Sequence, residues 1–183
     1  ETVAEAITAA GGRAVGAACD VTREADLEAA VARGVDAFGK LTILVNNAGG
    51  GGPKPFDMPM SDMRLAFELN VFSVFRLCQL AAPHMQSAGG GAVLNVSSMA
   101  GENRNRRMAA YGASKAAESH LTRNIAFDLG PMNIRVNAIA PGYILTDINR
   151  HFFESEPGQA MIRRIPLRRI GKPEDLDGPL LLL

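Results

Sequence analysis

Two side chains that can exchange a proton stand four residues apart, Tyr111 and Lys115. On a helix this spacing puts both on one face, about one turn apart. A phenol is a poor base at neutral pH because its reference pKa is near ~10, but a neighbouring ammonium favours the phenolate. The tyrosine then becomes usable as a general acid or base. Ser98, which ends the preceding predicted strand, could stabilise the same substrate oxygen by a hydrogen bond.

Each of these residues also has an ordinary structural interpretation. A tyrosine and a lysine at this spacing are usually surface or interface residues. Ser97 and Ser98 could both be turn residues, and the 13 residues from Ser98 to Tyr111 are what favour Ser98 as the functional one.

The spacing of apolar residues predicts alternating strands and helices. The predicted strands are residues 14–19, 41–45, 92–96 and 134–139. The predicted helices are residues 1–10, one N-capped by Thr22, a long one capped by Ser61, residues 109–129, and a last one that begins at Pro173. Strands separated by helices of this length predict a doubly wound parallel α/β sheet in one domain, residues 1–183.

Several details of these elements can be checked against a structure. We expect strand 41–45 to be buried on both faces, and the long helix to turn Leu65, Leu69, Phe72 and Leu80 to the core. Residues 142–172 read as irregular. Gly178 and Pro179 should interrupt the last helix, leaving residues 180–183 as an exposed apolar end.

Ligands of such sheets bind beyond the carboxyl ends of the strands. Asp20, Asn46, Ser98 and Pro141 all stand at those predicted ends. One edge of the sheet should therefore collect the candidate functional residues.

Composition argues against several classes of function. Lys plus Arg equals Asp plus Glu at 19 each, so no net charge favours nucleic acid or an anionic membrane. The longest apolar runs are strand-sized, which argues against a membrane span. His84, His120 and His151 have no partners at metal-ligand spacing, and two cysteines, Cys19 and Cys78, make no disulfide framework. We expect no metal and a reducing, cytoplasmic setting.

The ordered set of motifs resembles the short-chain dehydrogenase/reductase family over essentially the whole chain. The motifs are Asp20-Val21, Asn46-Asn47-Ala48-Gly49, Asn70, Ser98, Tyr111, Lys115 and Pro141-Gly142 with Thr146. Residues 46–60 and 102–105 further resemble the bacterial 7α-hydroxysteroid dehydrogenases. The resemblance implies a Rossmann-type sheet truncated at both ends, without the family's first strand-helix unit, its glycine-rich pyrophosphate loop and its last strand.

By that resemblance, Tyr111 is the proton donor and acceptor, Lys115 promotes loss of its proton and holds the nicotinamide ribose, and Ser98 orients the substrate oxygen. Asn70 would hold a water for proton relay. The implied cofactor contacts are Asp20 and Val21 at the adenine, Asn46 at the adenosine-side ribose, and Ile144 with Thr146 at the nicotinamide; Gly50 and Asn103 would touch the substrate. Asp20 could instead cap the helix near Thr22, and Asn70 could instead bend the long helix.

The resemblance implies NAD or NADP as cofactor, with NAD favoured, and oxidation of a steroid or bile-acid 7α-hydroxyl. The alternatives are a 3-oxoacyl-carrier-protein reductase or another short-chain reductase, and a non-catalytic fragment that lacks the cofactor loop. A homotetramer is also implied, and Phe67, Val74, Phe75 and Ile125 lie partly off the core-facing stripes, which leaves apolar area to cover.

Overall fold

A parallel sheet of three strands organises the chain, whose structure is a computed structural model that describes residues 2–183. The strands are β1 (Ile43–Asn46), β2 (Gly91–Val96) and β3 (Ile134–Ile139), in the order β1-β2-β3. In register, Val45 pairs with Leu94, and Leu94 pairs with Asn137. The strand-helix alternation and the parallel sheet predicted from the sequence are confirmed.

The helices surround this sheet. They are α1 (Val3–Ala9), α2 (Glu24–Phe38), α3 (Met60–Phe67), α4 (Ser73–Ser87), α5 (Met99–Glu102), α6 (Ala109–Leu129), α7 (Asp147–Glu154), α8 (Glu156–Ile162) and α9 (Asp177–Leu182). A π-helical segment, Glu68–Phe72, joins α3 to α4, and 3-10 segments lie at Gly130–Met132 and Pro173–Leu176. Residue 1 of the predicted first helix lies outside the described residues, and α1 begins after a capping box made by Thr2 and Glu5.

The core lies where α4 and α6 pack on the sheet. It contains Cys78, Ala81, Ala82, Met85, Val93, Ile125, Ile134 and Val136. Small side chains on α4 let the helix approach the sheet closely, and a Cβ on Gly91 would stand 2.8 Å from the Met85 sulfur. The two strands and the helix that carry the candidate residues are therefore fixed by the same core.

The predicted strand at residues 14–19 is wrong. This segment has no regular structure, and Val15 is exposed. A strand needs a partner for its backbone groups, and β1 pairs only with β2 among the described strands. For the same reason β1 is not buried on both faces, since Ile43 is 65% and Val45 is 52% exposed.

The core-facing side of the long helix is also not the predicted one. Leu65 and Phe72 are exposed, while Ala66, Asn70, Ser73 and Val74 are buried. Leu65 precedes the π segment Glu68–Phe72, so that segment does not account for the difference. The helix instead turns small and polar residues to the core, one position on from the predicted Leu65, Leu69 and Phe72. Of the four residues expected to lie partly off the core-facing stripes, Val74 and Ile125 are buried, so the expectation was wrong for these two. Phe75 is exposed.

Three helix boundaries differ from the predicted ones. Thr22 does not cap α2, because its hydroxyl donates to Asp20 Oδ1 and the cap is Arg23. Pro59, not Ser61, is the cap of α3. Pro179 does not interrupt α9, since it lies in the first turn, where its missing N–H would have no helical acceptor.

Residues 142–172 are less irregular than expected, because they contain α7 and α8. A helix starts where the backbone N–H of Thr146 donates to Asn149 Oδ1 at 2.9 Å. Phe153 of α7 is buried with its ring edge against Tyr143, at 5.6 Å between centroids. One buried phenylalanine does not produce a repeating pattern of apolar residues, so the sequence did not predict these helices.

The helical run Met60–Ser87 corrects the expectation that every apolar run is strand-sized. By length and composition it could cross a membrane, with mean hydropathy 1.3 over an 18-residue stretch of which 44% is buried. A core helix passes the same test, and here the run packs against α2, α6 and the sheet.

Candidate active site

Ser98 and Tyr111 line the same cavity, of about 320 Å³. Ser98 is the N-cap of α5, and its hydroxyl accepts a hydrogen bond from the Ala100 N–H at 3.1 Å. Tyr111 lies in the first turn of α6, and its hydroxyl makes no hydrogen bond within residues 2–183. Asn103, for which a substrate contact is predicted, belongs to the same lining, and Met99, Met108 and Tyr143 supply apolar surface.

A second cavity, of about 240 Å³, lies on the other side of Tyr111 along the glycine loop. Gly50, Gly51 and Leu69 line it. Gly51 has φ +123°, a conformation that side chains rarely adopt, and a Cβ there would stand 3.0 Å from Tyr111 Cδ2. The loop backbone therefore packs directly on the tyrosine ring and needs glycine to do so.

Lys115 is held inside the protein. Its Nζ donates to the backbone oxygen of Val96 at 2.7 Å and to Glu118 Oε2 at 2.7 Å. The side chains of Lys115 and Glu118 are only 6% and 0% exposed. Burial raises the pKa of the Glu118 carboxyl, and the hydrogen bond and charge of Lys115 oppose that rise.

Asn70 ties the glycine loop to α6. Its Oδ1 accepts from the Gly50 N–H at 3.0 Å, and its Nδ2 donates to the Gly50 oxygen at 2.8 Å and to Ser114 Oγ at 2.9 Å. Ser114 Oγ in turn donates to the Tyr111 backbone oxygen at 2.8 Å. Both amide hydrogens of Asn70 are used, so towards a water this side chain could only accept a hydrogen bond.

The Asn46 side chain is buried and points away from any open surface. Its Nδ2 donates to Asn95 Oδ1 at 2.8 Å, and Asn95 Nδ2 donates to Thr122 Oγ1 at 2.8 Å. A weak 3.8 Å contact joins Asn46 Nδ2 to the sulfur of Cys78, whose pKa burial raises to about 12. Any contact from Asn46 to a cofactor would therefore have to come from its backbone.

The remaining predicted cofactor residues lie outside both cavities at Tyr111. The Asp20 carboxylate accepts from the hydroxyl and N–H of Thr22, which lowers the pKa of Asp20. Val21 lines a separate groove between α2 and α4. Ile144 bridges to Gly171, and Thr146 is the N-cap of α7, directly after the Pro141–Tyr143 wall of the Ser98 cavity.

Glu118 and the buried polar residues beside it are the part of the site that sequence reasoning missed. These are Ser97, Ser114, Ser119, Thr122 and Asn95. Ser97 Oγ lies 3.0 Å from the Lys115 backbone oxygen, so Ser97 faces α6 while Ser98 faces the cavity. The i, i+3 spacing of Lys115 and Glu118 was visible in the sequence, but such pairs are usually solvated. No group of three His, Cys, Asp or Glu side chains able to hold a metal occurs within residues 2–183.

Comparison with known proteins shows the family of the chain. The family model for short chain dehydrogenases matches residues 1–157. The chain is 54% identical to 7α-hydroxysteroid dehydrogenase of Escherichia coli strain K12, over 99% of this chain and 71% of that protein. It is 37% identical to an L-rhamnose 1-dehydrogenase (NAD(P)+) of Azotobacter vinelandii, over 100% of this chain and 72% of that protein.

Among solved structures, the chain is similar to a 7α-hydroxysteroid dehydrogenase complexed with NADH and 7-oxo glycochenodeoxycholic acid. The TM-score is 0.94 at 54% identity, over 99% of this chain and 71% of that one. The chain belongs to the short-chain dehydrogenase/reductase family, whose members are nicotinamide-dependent oxidoreductases. Its relatives include hydroxysteroid dehydrogenases, and its fold is the Rossmann-type α/β fold of that family.

The contact between Gly51 and Tyr111 leads to a prediction with a matched control. Gly51→Ala should lower kcat/KM at least about tenfold, because a Cβ forces either the tyrosine ring or the loop to move and small displacements at a reacting centre are costly. Gly52→Ala should have a smaller effect, since its Cβ would meet nothing within 4 Å. Steady-state kinetics of both variants test this, and equal effects would contradict it.

Proposed function

We propose that this enzyme interconverts a secondary alcohol and a ketone on a steroid, specifically the 7α-hydroxyl of a bile acid, with NAD or NADP as cofactor. The observation that carries the proposal is the shared cavity of Ser98, Asn103 and Tyr111, with Lys115 one turn further along α6. The similarity to 7α-hydroxysteroid dehydrogenases supports the choice of substrate.

In this proposal the chain manages the proton and the geometry. The Tyr111 hydroxyl takes the proton of the substrate alcohol during oxidation and returns it during reduction. Ser98 Oγ hydrogen-bonds the same substrate oxygen, and Lys115 places a positive charge one turn further along α6. When bound, the nicotinamide supplies the carbon that accepts or gives the hydride.

The residues around Lys115 fit a nicotinamide ribose. An ammonium has three N–H donors, and two of them are used by Val96 and Glu118. A Cβ on Gly49 would stand 2.7 Å from Asn70 Oδ1 and 3.4 Å from Lys115 Nζ, so glycine lets the loop pass this close to the ammonium. Lys115 would hold a ribose hydroxyl with its third donor. NAD is favoured over NADP because a similar structure carries NADH.

The surroundings of the Ser98 cavity support a large substrate with an acidic tail. The glycine loop leaves bare backbone beside Tyr111, which a rigid ring system needs more than a small alcohol does. A further cavity of about 440 Å³ shares Asn103, Asn105 and Met108 with the Ser98 cavity, and Arg104 and Arg107 line it. A bile-acid carboxylate would find guanidinium partners there.

The proposed proton role of Tyr111 can be tested with both tyrosines of the chain. Tyr111→Phe should reduce kcat at least about a thousandfold, because it removes the transferable proton and little volume. NADH affinity, measured by fluorescence, should stay about the same. Tyr143→Phe removes a hydroxyl from the same cavity and should keep kcat within about tenfold of the unmodified enzyme. Turnover of Tyr111→Phe at that level would exclude the assignment.

The proposed substrate predicts a selectivity among alcohols. Cholate and chenodeoxycholate, which carry a 7α-hydroxyl, should be oxidised faster than bile acids hydroxylated only at position 3 or 12, because Asn103 near the reacting centre favours a matching polar group. The panel should include L-rhamnose, the substrate named for a relative, and 3-oxoacyl thioesters for the reductase alternative. Equal rates on all bile acids, or activity on the sugar or thioester alone, would reject the steroid proposal.

We further propose that the enzyme is a cytoplasmic homotetramer. Phe72 and Phe75 are exposed apolar residues of the long helical run, which supports association through that run. Neither cysteine is in a disulfide, which fits a reducing compartment. Light scattering at micromolar concentration should give four times the monomer mass, and Phe72→Glu should lower it by placing a charge on that surface. A monomer before substitution would contradict the proposal.

A further inference from the structure

A carboxylate with no exposed surface lies on the helix that carries Tyr111. Glu118 is fully buried, and its Oε2 accepts the hydrogen bond of Lys115 Nζ at 2.7 Å. We propose that Glu118 is a positioning residue of this site, which fixes the Lys115 ammonium at the carboxyl end of β2 and offsets its charge. The inference rests on the proposed function, since it concerns the lysine that acts on Tyr111.

Burial of this pair needs an explanation beyond stability. Taking a carboxylate and an ammonium out of water costs more than their attraction commonly returns, and apolar residues of similar size often stabilise such a position better. The other carboxylate oxygen, Glu118 Oε1, has no hydrogen-bond partner within residues 2–183. The only hydrogen bond of the buried Glu118 carboxylate is therefore the one from Lys115, which indicates that its role is to position Lys115.

The geometry fixes where the ammonium can be. Two acceptors on different elements, the Val96 oxygen on β2 and Glu118 on α6, hold Nζ from two sides. With Val96 alone, the long and flexible lysine side chain would keep one contact and several rotamers. The two contacts use two of the three donors of the ammonium and leave one without an acceptor among the described residues, near Gly49 of the glycine loop.

No other charged side chain balances Lys115 within the described residues. The neighbours of Lys115 are the Val96 oxygen on β2 and Gly49 of the glycine loop at its ammonium, and Ser97 at its backbone oxygen. On α6 the neighbouring titratable groups are Tyr111 and Glu118, and Asn70 on the π segment is neutral. Lys115 makes no other salt bridge within residues 2–183. Glu118 therefore balances the charge of Lys115, while the charged groups that line a cavity with Tyr111 are Lys54 and Asp62, which pair with each other at 3.2 Å.

The acid limb of the pH profile for alcohol oxidation belongs to the coupled ionisable groups of the site together. Removing the negative charge of Glu118 leaves the positive charge of Lys115 unbalanced, so this limb should move to lower pH.

The test compares three variants of the enzyme. Glu118→Gln keeps a hydrogen-bond acceptor and removes the charge, so the acid limb of kcat/KM should move down by about 0.5 pH unit. Glu118→Asp keeps the negative charge on a side chain that is one methylene shorter. We therefore expect kcat to fall about tenfold, while the acid limb of the kcat/KM profile stays at the same pH. Asp128→Asn removes an exposed negative charge near the end of the same helix and should change neither quantity.

A measurement without turnover separates this inference from the proposed function. In nitrogen-15 spectra of the enzyme without cofactor, the Lys115 ammonium signal, assigned by its loss in Lys115→Met, should move in Glu118→Gln and not in Asp128→Asn. An unmoved ammonium signal, an acid limb unchanged or raised in Glu118→Gln, or an unchanged kcat in Glu118→Asp would each overturn the role of Glu118. Full turnover of Tyr111→Phe with a moved ammonium signal would reject the catalytic proposal and leave the ion pair standing.

Discussion

The seam between α6 and the carboxyl end of β2 determines the geometry of everything near Tyr111. It consists of polar contacts at short distance: Ser97 Oγ to the Lys115 oxygen at 3.0 Å, Lys115 Nζ to the Val96 oxygen at 2.7 Å, and Asn95 Nδ2 to Thr122 Oγ1 at 2.8 Å. Directional bonds fix both the rotation and the translation of a helix on a strand, which apolar packing alone does less sharply. Because Ser98 follows Ser97 directly, the same seam fixes its position relative to Tyr111.

The polar residues at this site occupy buried positions and so reduce the apolar content of the core. Asn46, Asn70, Asn95, Ser114 and Glu118 occupy buried positions that apolar residues could fill. Most of their polar atoms are paired, but Asn46 Oδ1 and Glu118 Oε1 have no partner within residues 2–183, and an unpaired buried acceptor costs about 1–3 kcal/mol. Natural proteins tolerate such costs mainly at functional sites. These two atoms lie on β1 and α6, each of which has one end at the proposed site, while a third unpaired buried atom, Arg76 Nε on α4, belongs to a residue that lines neither cavity at Tyr111.

The sequence predicted best where an element has a clear period and clear ends. Helix 109–129 and strand 134–139 have the predicted bounds, because Gly130-Pro131 ends the helix and an apolar run follows it. Strand 14–19 failed because a strand forms only with a partner, which no local pattern reports. The predicted face of the long helix was wrong because its buried face contains small and polar residues such as Ala66, Ser73 and Ala81, which a search for large apolar residues does not select. The cavity of Ser98, Asn103 and Tyr111 was within reach of the sequence through known motifs, while Glu118 was not, since its burial depends on tertiary packing.

Asn70 joins the glycine loop to the helix that carries Tyr111. Its amide bonds both backbone groups of Gly50 and the hydroxyl of Ser114, whose own hydrogen bond goes to the Tyr111 backbone oxygen. Ala66, Asn70 and Val74 follow one another at intervals of four residues, so they share one face of the long helix, and all three are buried. That face therefore meets two demands at once, because its apolar residues pack in the interior while Asn70 holds the loop beside the Tyr111 ring.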